Sequence, residues 1–266
     1  MATKKAKIEA EPTSKKRRKK YYYSEGRGYR KGYGKPVPRT AGALYSSSET
    51  KYWDTDRPRV DIPACTATAL TAASTTSPDS YQTLFSPNQG TGVASREGRK
   101  TALKKLRIVG AIEYPGQSGQ NQYDEAIFVR VVVYLDKQAN GTSASLADIF
   151  RAAPLSVGVH AAIRQPMATG SFGRFRIFKD KLFKFDNYQT IGLTSSFLQQ
   201  PQIQPFKFTI KFKKPLVFLY NSVGGTAPSA LLNYNINLQA NATVNSLSPQ
   251  AQCFINYQSR ATFFDV

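Results

Sequence analysis

The chain has 266 residues, with 37 Lys and Arg against 17 Asp and Glu, a formal net charge of +20 and a hydrophobic fraction of 41 %. That apolar content suffices for a sizeable core and excludes a fully disordered chain, and no run approaches the roughly 18 apolar residues of a membrane helix. Two cysteines (Cys65 and Cys253) and one histidine are too few for a disulfide scaffold, a cysteine zinc site or chemistry that uses two histidines.

The N-terminus leads into charge, Lys4-Lys5-Ala6-Lys7, so no secretory signal is expected, and a soluble intracellular protein with a polyanionic partner is. Residues 1–40 hold 14 bases and 3 acids, a net of +11; residues 41–266 hold the other 23 bases and 14 acids, a net of +9. The densest run is Lys15-Lys16-Arg17-Arg18-Lys19-Lys20, followed by Tyr21-Tyr22-Tyr23 and then Arg27, Tyr29, Arg30, Lys31, Tyr33 and Lys35 among glycines. Six adjacent like charges repel one another and cannot form a core. Residues 1–45 therefore read as a disordered basic arm, and residues 46–266 as the folded domain. In the arm, Lys and Arg displace counterions from phosphates, and tyrosine rings stack on unpaired bases. The run Lys15 to Lys20 also reads as a nuclear localisation signal.

Beyond the arm the apolar pattern has period two. Asp54-Thr55-Asp56 reads as a solvated loop, and Ala64 to Ala72, with alternate Thr, as the first strand. Leu106 to Tyr114 is the next strand. Ile127 to Leu135 is β-branched and almost wholly apolar, which suits a central strand covered on both faces. Ser145 to Phe150 reads as a short helix capped by Ser143 or Ser145. Arg174 to Phe178 and Leu182 to Phe185 flank Lys179-Asp180-Lys181 and read as a strand with a turn or bulge. Phe206 to Lys213 alternates Phe or Ile with Lys or Thr, and its lysines, with Lys214, read as a solvated face. Pro215 to Tyr220, Leu232 to Gln239 with Asn as the outer residue, and Cys253 to Phe264 complete about eight strands. The long connections (73–90, 115–124, 137–172, 186–204 and 221–229) predict an all-β, eight-stranded jelly-roll sandwich whose strands cross between two sheets.

Catalytic groups do not gather in this pattern. His160 sits among Val157, Val159, Ala161 and Ala162, the setting of a structural histidine. The glycines Gly90, Gly92, Gly116 and Gly119 have neither the lysine nor the following helix of a phosphate loop. Asn140 and Asn241 open glycosylation sequons that read as chance matches, and the cysteines read as buried thiols. Neither an enzyme, a metal nor a cofactor is expected.

An ordered series of motifs adds to this. Gln89-Gly90-Thr91-Gly92 and Arg96-Glu97-Gly98-Arg99-Lys100 precede the strand from Leu103 to Tyr114. Then come Val129 to Gly141, Ser145 to Phe150, Arg174 to Lys181, and Tyr257 to Asp265 with Arg260. Over roughly residues 85–265 the series resembles the capsid proteins of circovirus-like viruses, whose circular single-stranded DNA encodes a replication initiator. Ala139 stands where that pattern has Pro, and Asn140-Gly141 still supplies the turn. The resemblance implies one jelly-roll domain per subunit and an icosahedral homo-oligomer, 60 copies in the smallest (T=1) shell. It further implies the arm inside on a single-stranded DNA genome, nuclear import factors as partners, and location in the virion and the host nucleus. Sixty arms at +11 would bring roughly 660 charges, the right order for a small single-stranded genome. It also makes Arg96, Arg99, Lys100, Lys104 and Lys105 a second basic cluster, either meeting DNA at the inner wall or spent on ion pairs and solvent. Two other readings stand beside it: a cellular β-barrel protein that binds single-stranded nucleic acid, and the capsid protein of a small RNA virus.

Overall fold

The computed structural model describes residues 49–65, 81–115, 126–138, 144–152, 161–186, 189–191, 197–199, 201–221, 231–243 and 253–266. The arm residues Lys15 to Lys35, and His160, lie outside them. Ten strands are described: β1 (Lys51–Asp61), β2 (Tyr81–Thr83), β3 (Lys100–Tyr114), β4 (Ile127–Asp136), β5 (Phe175–Phe185), β6 (Gln189–Ile191), β7 (Phe197–Gln199), β8 (Gln202–Leu219), β9 (Asn235–Ala242) and β10 (Phe254–Asp265). Eight build two four-stranded sheets, ordered β1-β10-β3-β8 and β2-β9-β4-β5. All neighbours are antiparallel. The pairing is nested: with β6 and β7 set aside as a separate hairpin, the first strand pairs with the last, the second with the last but one, the third with β8, and β4 with β5. This is the jelly roll expected from the sequence. Along the chain, the links within the sandwich change sheet except β4 to β5, which is why tight two-residue hairpins are missing from the sequence.

One core lies between the sheets. It takes Leu106, Ile108 and Ile112 from β3, Val129, Val131 and Val133 from β4, Phe183 and Phe185 from β5, Phe206, Phe208 and Ile210 from β8, and Tyr257 and Phe263 from β10. Each fully buried side chain of this size contributes about 1.5–3 kcal/mol. Phe85 sits edge-on to Phe218 at 5.0 Å and to Phe263 at 5.2 Å. A second cluster covers the back of β4, where Val132 and Tyr134 meet Leu146, Ile149, Phe150, Ile163 and Phe175. β4 is therefore buried on both faces, as its unbroken apolar run requires. The helix α1 (Leu146–Ile149) in this cluster is opened by Ser145, whose hydroxyl and backbone N–H exchange hydrogen bonds with Asp148.

Several expectations need correction. Asp54-Thr55-Asp56 is strand, not loop, because β1 pairs with β10 from Lys51 to Asp61. Its pattern is masked by charge and by Pro58, which an edge strand tolerates. The register slips at Arg57/Val60, where Arg59 takes φ 34 and lays its guanidinium 4.0 Å over the Phe254 ring. Of the strand expected over 64–72, the described part is an isolated bridge from Ala64 to Ala242. β2, β6 and β7 fall in stretches expected as connections, each with too few residues to show a period. Phe175 to Phe185 is one strand with a bulge, as expected, but the extra residue is Phe178 rather than one of Lys179–Lys181. Pro215 to Leu219 continues β8 past a register shift. The Asn side of β9 is buried, not outward: Asn235, Asn237, Gln239 and Asn241 are 0–3 % exposed. Gln239 Nε2 donates to the Ala144 carbonyl at 2.8 Å, and Thr83 Oγ1 donates to Asn237 Oδ1 at 3.3 Å. The Asn241 sequon is thus enclosed in the fold.

Gly110 of β3 sits where a Cβ would lie 2.2 Å from the Asn256 carbonyl oxygen and 2.6 Å from Tyr257 Cβ. Gly110→Ala should therefore cost about 1–3 kcal/mol through forced separation of β3 and β10, read as a lower midpoint in denaturant. Burial pushes the thiol of Cys65 up to about 11 and that of Cys253 up to about 12. Neither should react with a thiol-specific disulfide reagent at neutral pH until denaturant unfolds the chain, when both should titrate.

Candidate nucleic-acid interface

The second basic cluster begins in a tight loop before β3. Arg96 N–H donates to the Asn88 carbonyl at 2.8 Å, and Gly90 N–H donates to the Arg96 carbonyl at 2.9 Å. This closes the loop and turns the Arg96 side chain inward, where it is fully buried. Its guanidinium lies 4.2 Å over the Tyr220 ring and donates from NH1 to the Gly98 carbonyl at 2.6 Å. Burial raises the Tyr220 phenol well above the ordinary tyrosine value, although the Thr101 hydroxyl and Arg96 act against it. Arg96 thus joins the loop to the end of β8, and its charge faces protein.

The neighbouring charges at the root of β1 are also committed. Lys51, with a side chain 3 % exposed, donates to Glu97 at 2.7 Å and pairs with Asp265 at 2.8 Å. Burial opposes its charge, but hydrogen bonds to Asp265 and Glu97 outweigh that, so its pKa stands above the ordinary lysine value. The pairing stabilises the fold fully below that ordinary value and is lost as pH rises through the raised one.

The other four cluster residues are differently placed. Arg99 and Lys100 are exposed where β3 begins. Lys104 is exposed at a bulge, the extra residue of β3 between the partners of Phe263 and Thr262, and its ammonium lies 5.4 Å over the Phe264 ring. Lys105 is half-buried and stands on the outward face of its sheet, opposite Lys211 of β8. The structure therefore separates Arg96 from the rest and brings Lys105 to lysines more than 100 residues away in sequence.

Arg107 is the basic residue that the sequence reading passed over. The alternation Leu106-Arg107-Ile108 carried the signal, with Arg107 exposed between two buried neighbours. Beside it, Arg260 forms two hydrogen bonds to Asp54, both at 2.7 Å. That bonding holds Asp54 below the usual carboxylate range, against the effect of burial. Both side chains are more than half exposed, so the pair adds little to stability. Asp54, Arg107, Gln258 and Arg260 line a shallow hollow of about 510 Å³ on this face. Among the described residues no three or more His, Cys, Asp and Glu side chains gather to hold a metal, and no helix is long and apolar enough to cross a membrane.

No protein-family model matches the chain, and no curated protein does. Among solved structures it is similar, at 13 % identity and TM-score 0.16, to a chain of T=3 Penaeus vannamei nodavirus, covering 98 % of this chain and 63 % of that one. It is also similar to a chain of infectious bursal disease virus Gx strain at 15 % identity and TM-score 0.17, covering 82 % and 42 %. A third is the infectious bursal disease virus VP2 subviral particle, at 12 % identity and TM-score 0.19, covering 83 % and 43 %. The chain thus spans under two thirds of each of these chains.

The burial difference sets an expectation. Arg96→Ala should cost about 2–4 kcal/mol, combining a desolvated cation–π contact with a charged hydrogen bond. Arg99→Gln should stay within about 0.5 kcal/mol. Thermal denaturation of the two variants measures the contrast.

Proposed function

We propose that this chain is the shell-forming protein of a small virus and that its basic arm binds a packaged single-stranded DNA genome. The observation that carries this reading is the nested pairing of eight strands, preceded in sequence by an arm of net charge +11. Jelly rolls recur in viral capsids, lectins and cupins. One histidine in the whole chain disfavours a metal-binding cupin, and a surplus of +20 favours a polyanionic partner over a neutral sugar.

In this reading the sandwich tiles a closed icosahedral shell, because repeating one short gene product is the economical way to enclose a genome. Lys15 to Lys20 carries the subunit into the nucleus through import factors. The same run, with Tyr21 to Tyr23 and the residues from Arg27 to Lys35, then neutralises and stacks on the packaged strand. Arg99, Lys100, Lys104 and Lys105 add cations at the inner wall, whereas Arg96 holds the loop beneath them. DNA rather than RNA is supported by the motif series from Gln89 to Asp265.

Electron microscopy of the protein expressed alone, with and without residues 1–45, tests the proposal. Closed isometric shells are expected in both cases, with most of the co-purified nucleic acid lost when the arm is removed. Monomers that still bind single strands would overturn it in favour of a cellular binding protein. Particles that retain RNA and reject single-stranded DNA under competition would overturn the choice of genome.

A further inference from the structure

The outward face of the sheet β1-β10-β3-β8 carries a charge pattern that folding does not explain. Leu106 and Ile108 of β3 and Phe206, Phe208 and Ile210 of β8 point into the core. The alternate residues therefore point out. The register sets them in three rows across the four strands, in the order β1, β10, β3, β8. The rows are Tyr52, Thr262, Lys105, Lys211; then Asp54, Arg260, Arg107, Thr209; then Asp56, Gln258, Val109, Lys207. Both acids stand on β1, and four of the five bases stand on β3 and β8.

Like charges directly across a strand pair destabilise it. Lys105 faces Lys211, and Arg107 faces Arg260. Asp54 relieves Arg260 at 2.7 Å. Lys105, Arg107, Lys207 and Lys211 have no ion-pair partner among the described residues. Successive outward residues on a strand lie about 7 Å apart and adjacent strands about 4.8 Å apart, so these four cations form one compact group. Val109, 42 % exposed, adds an apolar spot among them, whereas Tyr52, 44 % exposed, stands on β1 at the other edge of the face under Arg260. Closely spaced cations without carboxylate partners are the elements of a surface that takes the phosphates of a nucleic-acid backbone.

We infer that the β3–β8 half of this face, through Lys105, Arg107, Lys207 and Lys211, binds the phosphate backbone of a single-stranded nucleic acid at a site separate from the arm. The choice of nucleic acid over another polyanion rests on the capsid reading. The cation surplus does not.

Acetylation footprinting of the full chain, read by mass spectrometry, tests this with a long oligothymidylate as probe. Lys105, Lys207 and Lys211 should be acetylated several-fold more slowly with the oligonucleotide, and the difference should vanish in high salt. Lys181 and Lys184, exposed on the other sheet, should be unaffected. In titrations of the full chain, the Lys207→Gln, Lys211→Gln double variant should lower the slope of log affinity against log salt by about 1.4, at about 0.7 per phosphate contact on a single strand. Lys181→Gln, Lys184→Gln should leave it unchanged. Lysines that stay equally reactive, or an unchanged slope, would overturn the inference. So would protection that shell assembly alone produces without nucleic acid, which would make the face a subunit contact. Protection by polyglutamate equal to that by the oligonucleotide would also overturn it, in favour of an acidic protein partner. Microscopy of the same samples separates the two proposals: protected lysines without shells sink the capsid reading alone, and shells with unprotected lysines sink this site alone.

Discussion

Among the described residues the two sheets share no strand ladder, so their faces meet through side chains, and the rest of the molecule follows from that. The nested topology sends the chain from one sheet to the other at nearly every link. Adhesion falls to the aromatic interlock. Phe183 of β5 meets Phe206 of β8 at 6.0 Å, and Phe178 meets Phe212 at 5.4 Å, both edge-on. These contacts join the free edges of the two sheets. Each such pair contributes about 0.5–1.5 kcal/mol beyond its buried area. At the same corner the amides of Gln202 and Gln204 donate to the carbonyls of Asp186 and Lys184, so side chains supply the bonds that a continuous ladder would have made.

The second sheet is covered on its back as well, and polar groups fix how that cover sits. Arg130 of β4 is the anchor. Its guanidinium makes two hydrogen bonds to Asp180, at 2.9 and 2.6 Å, and donates to the carbonyls of Ile163 and Gln165 at 3.0 and 2.8 Å. It also lies 3.8 Å over the Phe150 ring. Burying a charge is costly unless its hydrogen-bonding capacity is met, and here one side chain ties β5, the turn after 161 and the end of α1 to the central strand. Asp136 and Arg174 repeat the device at the other end of β4, with bonds of 2.9 and 2.7 Å. Apolar packing sets the strength of this layer, and the two arginines set its position.

What was legible in the sequence depended on period. Ile127 to Leu135 and Phe206 to Lys213 could be read because burial on two faces and on one face leave different patterns. Ser145 could be read because a capping side chain is local to its helix. β1 was not legible: its core-facing residues are thinned by Thr55 and Arg57, and Pro58 argues against a strand unless one knows that it lies at an edge. β2 has three residues, too few for a period. The buried Asn face of β9 was misread because amides pass for solvent-facing groups until the cover that bonds Gln239 is known. The same limit applied to the site. Arg96 reads as one more base in a basic run, and the loop closure that turns it inward is a contact between residues 88 and 96. The grouping of Lys105 and Arg107 with Lys207 and Lys211 is a fact of register, and register is invisible along a single strand.

That grouping also bears on how the positive surplus is arranged. Where a cation serves the fold, it has a partner: Lys51 has Glu97 and Asp265, Arg130 has Asp180, and Arg174 has Asp136. Arg96 has the Tyr220 ring and the Gly98 carbonyl. On the outward face of β3 and β8 the arrangement is reversed, with lysine set against lysine and the acids of these rows, Asp54 and Asp56, standing on β1, two strands from β3 and three from β8. Selection for stability alone would place an acid in one of those positions, since an opposite-charge pair there would stabilise by about 0.2–1 kcal/mol. The surplus is therefore of two kinds. The paired cations locate loops and strand ends, and those on the outward side of β3 and β8 keep a positive field on that face. In the proposed shell, that field and the charge of the arm would act on the same strand of nucleic acid, the arm by its number of charges and the sheet by its fixed spacing.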